Sequence, residues 1–417
     1  MARAVRVSDF LGLTRSTVGV LFMVILVGMG ERMAERFLPI YLLALGGGAL
    51  SIGLLNGMDN LLSALYSFPG GYLSDRFGTK RALLIFNMVA MCGYLVVIIF
   101  PAWQAVLLGA VFFISWSAIS LPATMSLIAK VLPLHKRTMG VSMHSLVRRF
   151  PMALGPILGG ACIGLWGEKD GVRAAFVVAL LLSFVAIVLQ QKLIEDEPPK
   201  QPGDECSYVP EKNPLKLYHL MAPNLRRLLV ADILVRYCEQ IPYAFVVVWC
   251  MKTISSPVSA LQFGILTSIE MATAVLVYVP VAYLADKTTK KPFVVMTFVF
   301  FTLFPLTLLF CRSFNWLVLA FILRGFKEFG EPTRKALIMD LAPENCKAGM
   351  FGLYYLLRDV FVSVAAFGGA FLWLISPTTN FLVAFSFGVA GTLGFAFWGS
   401  DFPEVEFQDK SFNIGSD

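Results

Sequence analysis

Twelve mostly apolar stretches run along this chain, at about residues 18–44, 50–74, 82–100, 103–129, 139–166, 173–192, 227–251, 258–284, 292–311, 316–341, 349–375 and 379–399. About 20 such residues cross a hydrocarbon layer as a helix. In hydrocarbon only helices and closed barrels satisfy their own backbone polar groups. The expected fold is therefore an all-α membrane protein with twelve transmembrane helices, here numbered spans 1 to 12. Composition supports this: of 417 residues, 57% are hydrophobic and 15% charged, and the mean hydropathy is +0.74. One soluble core could not hide that much apolar surface.

The first stretch follows Arg3, Arg6 and Arg15, but it is long and no small-residue cleavage site follows it, so it reads as a retained helix. One side of the spans collects the N-terminal arginines, Arg76, Lys80, Arg81, Lys136, Arg137, Lys287, Lys290, Lys291 and Lys347. The other keeps only Lys169, Arg173, Lys252 and Arg312. The positive-inside rule then puts both termini in the cytoplasm. The expected location is the cell membrane, of the bacterial inner-membrane type. Loop and intramembrane charges account for the net charge of +7, so no nucleic-acid partner is expected. No cysteines form a C-x-x-C pair, His135, His144 and His219 are far apart, and no H-E-x-x-H occurs. No disulfide framework, metal site, cofactor or enzyme active site is expected.

Residues 193–225 are rich in proline and charge and cannot form a span. They divide the chain into an N-terminal six-helix bundle (1–192), a cytoplasmic linker (193–225), a C-terminal six-helix bundle (226–400) and a polar tail (401–417). The halves repeat each other in parallel. Pro122 matches Pro332 and Arg148 matches Arg358 at one offset; Gly53 matches Gly264, Asp59 matches Glu270 and Asp75 matches Asp286 at another; Arg32 matches Arg236 and Glu35 matches Glu239 at a third.

Between spans 2 and 3 stands "GGYLSDRFGTKR". Gly71, Leu73, Asp75, Arg76, Gly78, Lys80 and Arg81 fit the G-x-L-x-D-R-x-G-x-[RK]-[RK] loop, and here the chain resembles the major facilitator superfamily. The mid-chain counterpart "AYLADKTTKK" keeps Asp286, Lys287, Lys290 and Lys291 but lacks both glycines. In span 5, "LGPILGG" places Gly155, Pro156, Gly159 and Gly160 in a motif similar to the G-P-x-x-G-G of that superfamily's proton-coupled exporters. The same small residues also simply permit close helix packing. Span 4 departs from the family: it has no charge between Trp103 and Ala129, where the family places an arginine. The resemblance implies the major facilitator fold, two pseudo-symmetric six-helix bundles rocking about a midplane site, with Asp75 and Arg76 as a cytoplasmic gate.

Charges inside the spans mark the interior. A charge at the bilayer centre costs roughly 2.5–3.5 kcal/mol on insertion scales, so it must face protein or water. Span 10 alone carries Arg324, Lys327, Glu328, Glu331, Arg334 and Lys335 at helical spacing, which predicts one charged stripe with Arg324–Glu328 and Lys327–Glu331 neutralising each other. Span 1 has Glu31, Arg32, Glu35 and Arg36, span 2 Asp59, span 5 His144, Arg148 and Arg149, span 7 Asp232, Arg236 and Glu239, span 8 Glu270, and span 11 Arg358 and Asp359. Spans 3, 6, 9 and 12 have none in their interiors and read as peripheral scaffold.

Two readings of these residues stay open: structural ion-pair networks, or a site. For a site, the proton-coupling candidates are Glu35 and Glu239, then Glu31, Asp59, Glu270 and Glu331. The substrate-binding candidates are Arg32, Arg36, Arg148, Arg236, Arg324, Lys327, Glu328 and Arg358, because guanidinium grips carboxylate or phosphate. Trp116, Tyr243, Trp249, Tyr354 and Tyr355 are aromatic candidates. The expectation is a monomeric, lipid-embedded secondary transporter of a small anionic or zwitterionic organic solute, proton-coupled, with export favoured over import. The rival is a non-transporting member of the fold that serves as an assembly factor or a lipid or pigment carrier for another membrane complex.

Overall fold

The computed structural model describes residues 15–114, 116, 134–194, 218–285, 289–343 and 347–400, and nearly all of these are helical, with no strand among them. Most of span 4 with Pro122, the linker between 195 and 217, the second loop's Asp286 and Lys287, and the tail lie outside the described residues. Six helices are long and apolar enough to cross a membrane unaided: Lys80–Ile99, Val147–Leu193, Ala260–Val277, Lys291–Phe310, Met350–Ile375 and Pro377–Trp398. The bent pair Pro223–Tyr243 and Phe245–Thr253 makes a seventh.

Several expected spans are not single straight helices. Span 1 is Arg15–Glu35 followed by Leu38–Ala44, with Pro39 in the first turn of the second piece, where its missing N–H costs nothing. Span 7 is Pro223–Tyr243, Phe245–Val248 and a π-helical turn over Trp249–Thr253, and Pro242 stands at the first break. Spans 5 and 6 are two helices within Leu134–Leu193 that part at Gly167, whose φ of 80° is open to glycine. Gly78 plays the same part between spans 2 (Ala49–Phe77) and 3 (Thr79–Ile99), at φ 83°.

Span 10 departs most from expectation. It is Phe314–Gly325, a 3₁₀ turn over Phe326–Glu328, and a new helix Glu331–Leu341. Pro332 has no N–H for the carbonyl of Glu328, and together with Gly325 and Gly330 it weakens the helix where the break falls. Gly330 donates instead to Thr297 Oγ1 of span 9 at 2.6 Å. The break changes the phase of the stripe: Arg324 and Arg334 are buried, whereas the Lys335 side chain is half exposed.

The halves meet along matching seams. Span 2 packs on span 11 (Lys347–Ile375), and span 5 on span 8 (Ala260–Ala285). The repeat-matched glycines sit in these seams: a methyl group at Gly53 would lie 2.4 Å from Ala370 Cβ, and one at Gly264 would lie 2.4 Å from the Pro156 carbonyl oxygen. Asn56 donates to the Gln240 carbonyl at 3.0 Å, Ser268 to the Ala153 carbonyl, and Lys252 pairs with Glu168 at 2.5 Å. Phe37 meets Phe263, and Phe245 stacks on Trp373 at 4.7 Å. Among the described residues these contacts lie from mid-depth towards the end opposite the start of span 1 and the end of span 12. The two halves are closed there.

Candidate functional site

Below this closure lies a cavity of about 530 Å³ between the halves. Its polar lining is Glu35 and Arg36 of span 1, Asn56 and Asp59 of span 2, Tyr243 of span 7 and Arg324 of span 10. Leu38, Leu55, Val247 and Phe263 supply apolar wall. Tyr243 is the meeting point. Its ring lies 5.2 Å from the Arg36 guanidinium carbon, belonging to one half, and 5.6 Å from that of Arg324, belonging to the other. The Tyr243 hydroxyl accepts a hydrogen bond from Arg36 Nη1 at 2.8 Å. Two cations from opposite halves thus share one aromatic ring by cation–π attraction, Arg324 being also paired with an acid of its own half.

Ion pairing divides the candidates. Arg324 Nε is 3.3 Å from Glu270 Oε1, and Lys327 Nζ lies 3.2 Å from the same oxygen and 2.9 Å from Glu239 Oε1. Arg236 bridges Glu239 at 2.6 Å and Glu331 at 3.4 Å. Arg334 pairs with Asp232 and, at 2.7 Å, with Glu331. Asp232 also accepts from the Tyr354 hydroxyl at 3.0 Å, and Arg358 approaches it at 3.8 Å while pairing with Asp359 at 2.6 Å. The expected neighbours Arg324–Glu328 and Lys327–Glu331 are not the pairs formed. The break in span 10 turns each group to another helix, and Glu328 accepts from Arg149 of span 5 at 3.2 Å, across the halves. This is a buried network joining spans 7, 8, 10 and 11.

Among the described residues the N-terminal half shows fewer ion pairs between spans. Arg32 bridges Glu35 at 2.7 Å, the counterpart of Arg236–Glu239. Glu31 is buried outside the cavity lining. Asp59 and Arg148 have no ion-pair partner among the described residues, and Arg36 has its phenol instead of a carboxylate. Trp249 and Tyr354 serve packing and the network: Trp249 donates to the Leu308 carbonyl and stands edge-on to Phe381. Trp116 is buried. Span 9 (Lys291–Phe310), expected as scaffold, also reaches inward: Phe304 lies 4.8 Å from the Arg324 guanidinium and Phe301 5.0 Å from that of Arg236. Charge patterning could not reveal this, since an uncharged phenylalanine in a span looks the same whether it faces lipid or a guanidinium.

Such a cavity between two repeated bundles is a transporter's architecture, and comparison decides the family. The Major Facilitator Superfamily matches residues 20–205 and 228–412. The chain belongs to that superfamily. A curated relative, the uncharacterized MFS-type transporter MJ1317 of Methanocaldococcus jannaschii, is 23% identical over 368 residues, 85% of this chain and 87% of the relative. The uncharacterized MFS-type transporter YfkF of Bacillus subtilis is 27% identical over 164 residues, 39% of this chain and 41% of the relative. Among solved structures, a mutant of the nucleoside transporter NupG superposes with a TM-score of 0.76 at 14% identity, covering 91% of this chain and 99% of that one. The peptide transporter POT in complex with sulfate gives 0.74 at 15%, covering 93% and 94%. These structures show the major facilitator fold, and the family match, in two halves, makes the chain a multi-pass membrane transporter.

Within this major facilitator fold the motif residues take structural places. Gly71, Asp75 and Arg76 fall on the span 2 helix, their side chains outside the described residues. Gly78 makes the turn, Lys80 accepts through its carbonyl from Gln190 of span 6 at 2.7 Å, and Arg81 lies on the first turn of span 3. In span 5, methyl groups at Gly155 and Gly159 would lie 2.7 Å from Arg32 Cβ and 2.0 Å from the Met33 carbonyl oxygen, and one at Gly160 2.4 Å from that of Ala260. The G-P-x-x-G-G helix thus presses span 1 on one side and span 8 on the other, with Pro156 at the second seam.

Proposed function

We propose that the protein is a secondary transporter that moves a small anionic or zwitterionic organic solute by alternating access, driven by protons, with its termini in the cytoplasm. One observation carries this reading: Arg36 and Arg324, from opposite halves, converge over Tyr243 on one cavity that is also lined by Asp59, which has no ion-pair partner among the described residues. An anionic group bridging the two guanidiniums would tie the halves together, so its arrival and release are coupled to their rocking. A cationic group on the same solute would find Asp59 and Glu35.

The proton is assigned to Asp59 and Glu35. Protonating Asp59 breaks no ion pair among the described residues, whereas protonating Glu239 would break two, to Arg236 and Lys327. Glu239, Glu331 and Asp232 then belong to the frame. The resemblance of the span 5 motif to those of proton-coupled exporters supports export. The substrate itself is chosen by cavity side chains and not by the fold.

Thermal unfolding of the detergent-purified protein against organic anions, zwitterions, neutral compounds and cations tests the reading. A ligand at 100 times its Kd adds about 2.7 kcal/mol to the folded state. Stabilisation by anions or zwitterions, lost in Arg36→Ala, is expected. Stabilisation by cations or neutral compounds alone would refute it.

A further inference from the structure

The bend in span 7 falls inside the site, and its carbonyls are met from both halves. The helix Pro223–Tyr243 ends there, and the last four carbonyls of a helix find no partner within it. Two of them go to buried asparagines. Asn56 of span 2, from the N-terminal half, donates to the Gln240 carbonyl at 3.0 Å. Asn380 of span 12, from the same half as span 7, donates to the Ile241 carbonyl at 3.4 Å and to the Gly369 carbonyl at 2.8 Å. Asn56 is 4% exposed and Asn380 fully buried. One turn along span 2, Asn60 reaches the Gln240 side-chain oxygen at 3.4 Å. Tyr243, on which Arg36 and Arg324 converge, stands just after these carbonyls. Its ring is therefore carried on a bend that the opposite half holds.

We propose that Asn56 is a positioning residue of the anion site. From the N-terminal half it caps the bend of span 7, and it sets Tyr243 beneath the two guanidiniums only while the halves are closed at this end. Opening there withdraws the amide and gives the Gln240 carbonyl to water. Water satisfies the carbonyl but does not fix the angle of the bend. The anion is then held more tightly in the closed form than in the open one, which favours its release on the side away from the termini. The inference rests on the anion reading above and adds to it a group that makes affinity depend on conformation.

Titration calorimetry of the purified protein with acetate and glycine tests it. Asn56→Leu keeps the volume and removes the donor, so it should weaken binding about twofold to tenfold. In a Tyr243→Ala background it should cost nothing more, because the ring it positions is gone. The conformational part is read with the closed end clamped: Glu168 and Lys252, paired across the halves at 2.5 Å, are replaced by cysteines and joined by a short bismaleimide. Clamping should tighten binding in the protein with Asn56 and leave Asn56→Leu unchanged. Asn380→Leu, which removes the cap supplied within one half, should keep the gain. Asn56→Ala carries the same comparisons if the leucine variant does not fold. Equal losses with and without Tyr243, no gain on clamping, or the same gain in the Asn56 variant would overturn the positioning role while leaving the anion site standing. Binding of neither acetate nor glycine would overturn the anion site and the inference with it.

Discussion

The two halves carry matching charges at matching depths and use them differently. Arg32–Glu35 and Arg236–Glu239 are the same bridge between residues three apart, at 2.7 and 2.6 Å. In the C-terminal half that bridge is one link in a chain through Lys327, Glu270, Glu331, Arg334, Asp232 and Arg358. In the N-terminal half it stands with Arg36 on a phenol, and with Asp59 and Arg148 having no ion-pair partner among the described residues. The matched positions make the contrast sharp: Glu270 lies within ion-pair reach of two cations and Arg358 beside two acids, while among the described residues their counterparts Asp59 and Arg148 form no ion pair. One repeat has become a neutralised frame; the other keeps charge available to a ligand and a proton.

The largest expected effect follows from burial. Asp232 and Arg334 are each about 1% exposed, and removing one partner of a buried pair leaves an uncompensated charge, at a cost of about 3–5 kcal/mol. Arg334→Ala should therefore lower the unfolding midpoint steeply or abolish folded yield. Arg148→Ala, in the repeat without the network, should change stability by less than about 1 kcal/mol. Equal losses in thermal unfolding would erase the distinction between frame and site.

Next comes the anion site. A hydrogen bond to a charged group contributes about 1.5–3 kcal/mol, so Arg36→Ala or Arg324→Ala should weaken binding of the anion found by the unfolding screen roughly tenfold to a hundredfold. The two should differ in stability. Arg36→Ala frees a phenol in a cavity, whereas Arg324→Ala leaves Glu270, itself fully buried, with only Lys327. An Arg324 variant as stable as the Arg36 variant would show that Glu270 needs no second cation.

How much of this could be read from the chain depends on range. The twelve spans, the repeat and the i, i+3 bridges are local or periodic, and spacing alone displays them. The partners of Arg324, Lys327 and Glu328 are not local: their nearest acids or bases in sequence are on the same stripe, but Gly325, Gly330 and Pro332 interrupt the helix and turn them to spans 8, 7 and 5. Those three residues are the local cause of the break, but the regular charge spacing reads through them as one stripe, and the pairing depends on which helices stand opposite. Phe301 and Phe304 left no signal at all, since apolar residues in a span look alike whether they face lipid or a guanidinium.

The proton assignment sharpens the contrast further. With one proton moved per solute, a pH difference of one unit supports at most about a tenfold accumulation, 1.4 kcal/mol. In proteoliposomes Asp59→Asn should bring that ratio down to one while solute exchange continues. Glu239→Gln, by opening the frame, should depress both activities together. Accumulation surviving in Asp59→Asn and exchange surviving alone in Glu239→Gln would move the coupling role to the C-terminal half.

The smallest effect probes the one place where the halves share a group. Tyr243 belongs to the C-terminal half, yet its hydroxyl accepts from Arg36 of the N-terminal half at 2.8 Å. Tyr243→Phe keeps the ring beneath both guanidiniums and removes only that hydrogen bond, whose net contribution is about 0.5–1.5 kcal/mol. If the phenol holds Arg36 in position for the ligand, anion affinity should fall about twofold to tenfold. The same substitution made in an Arg36→Ala background should then cost nothing more, because the group it positions is gone. A double-mutant cycle with equal losses in both backgrounds would show that Tyr243 acts on the ligand directly, and that the N-terminal cation stands ready without help from the other half.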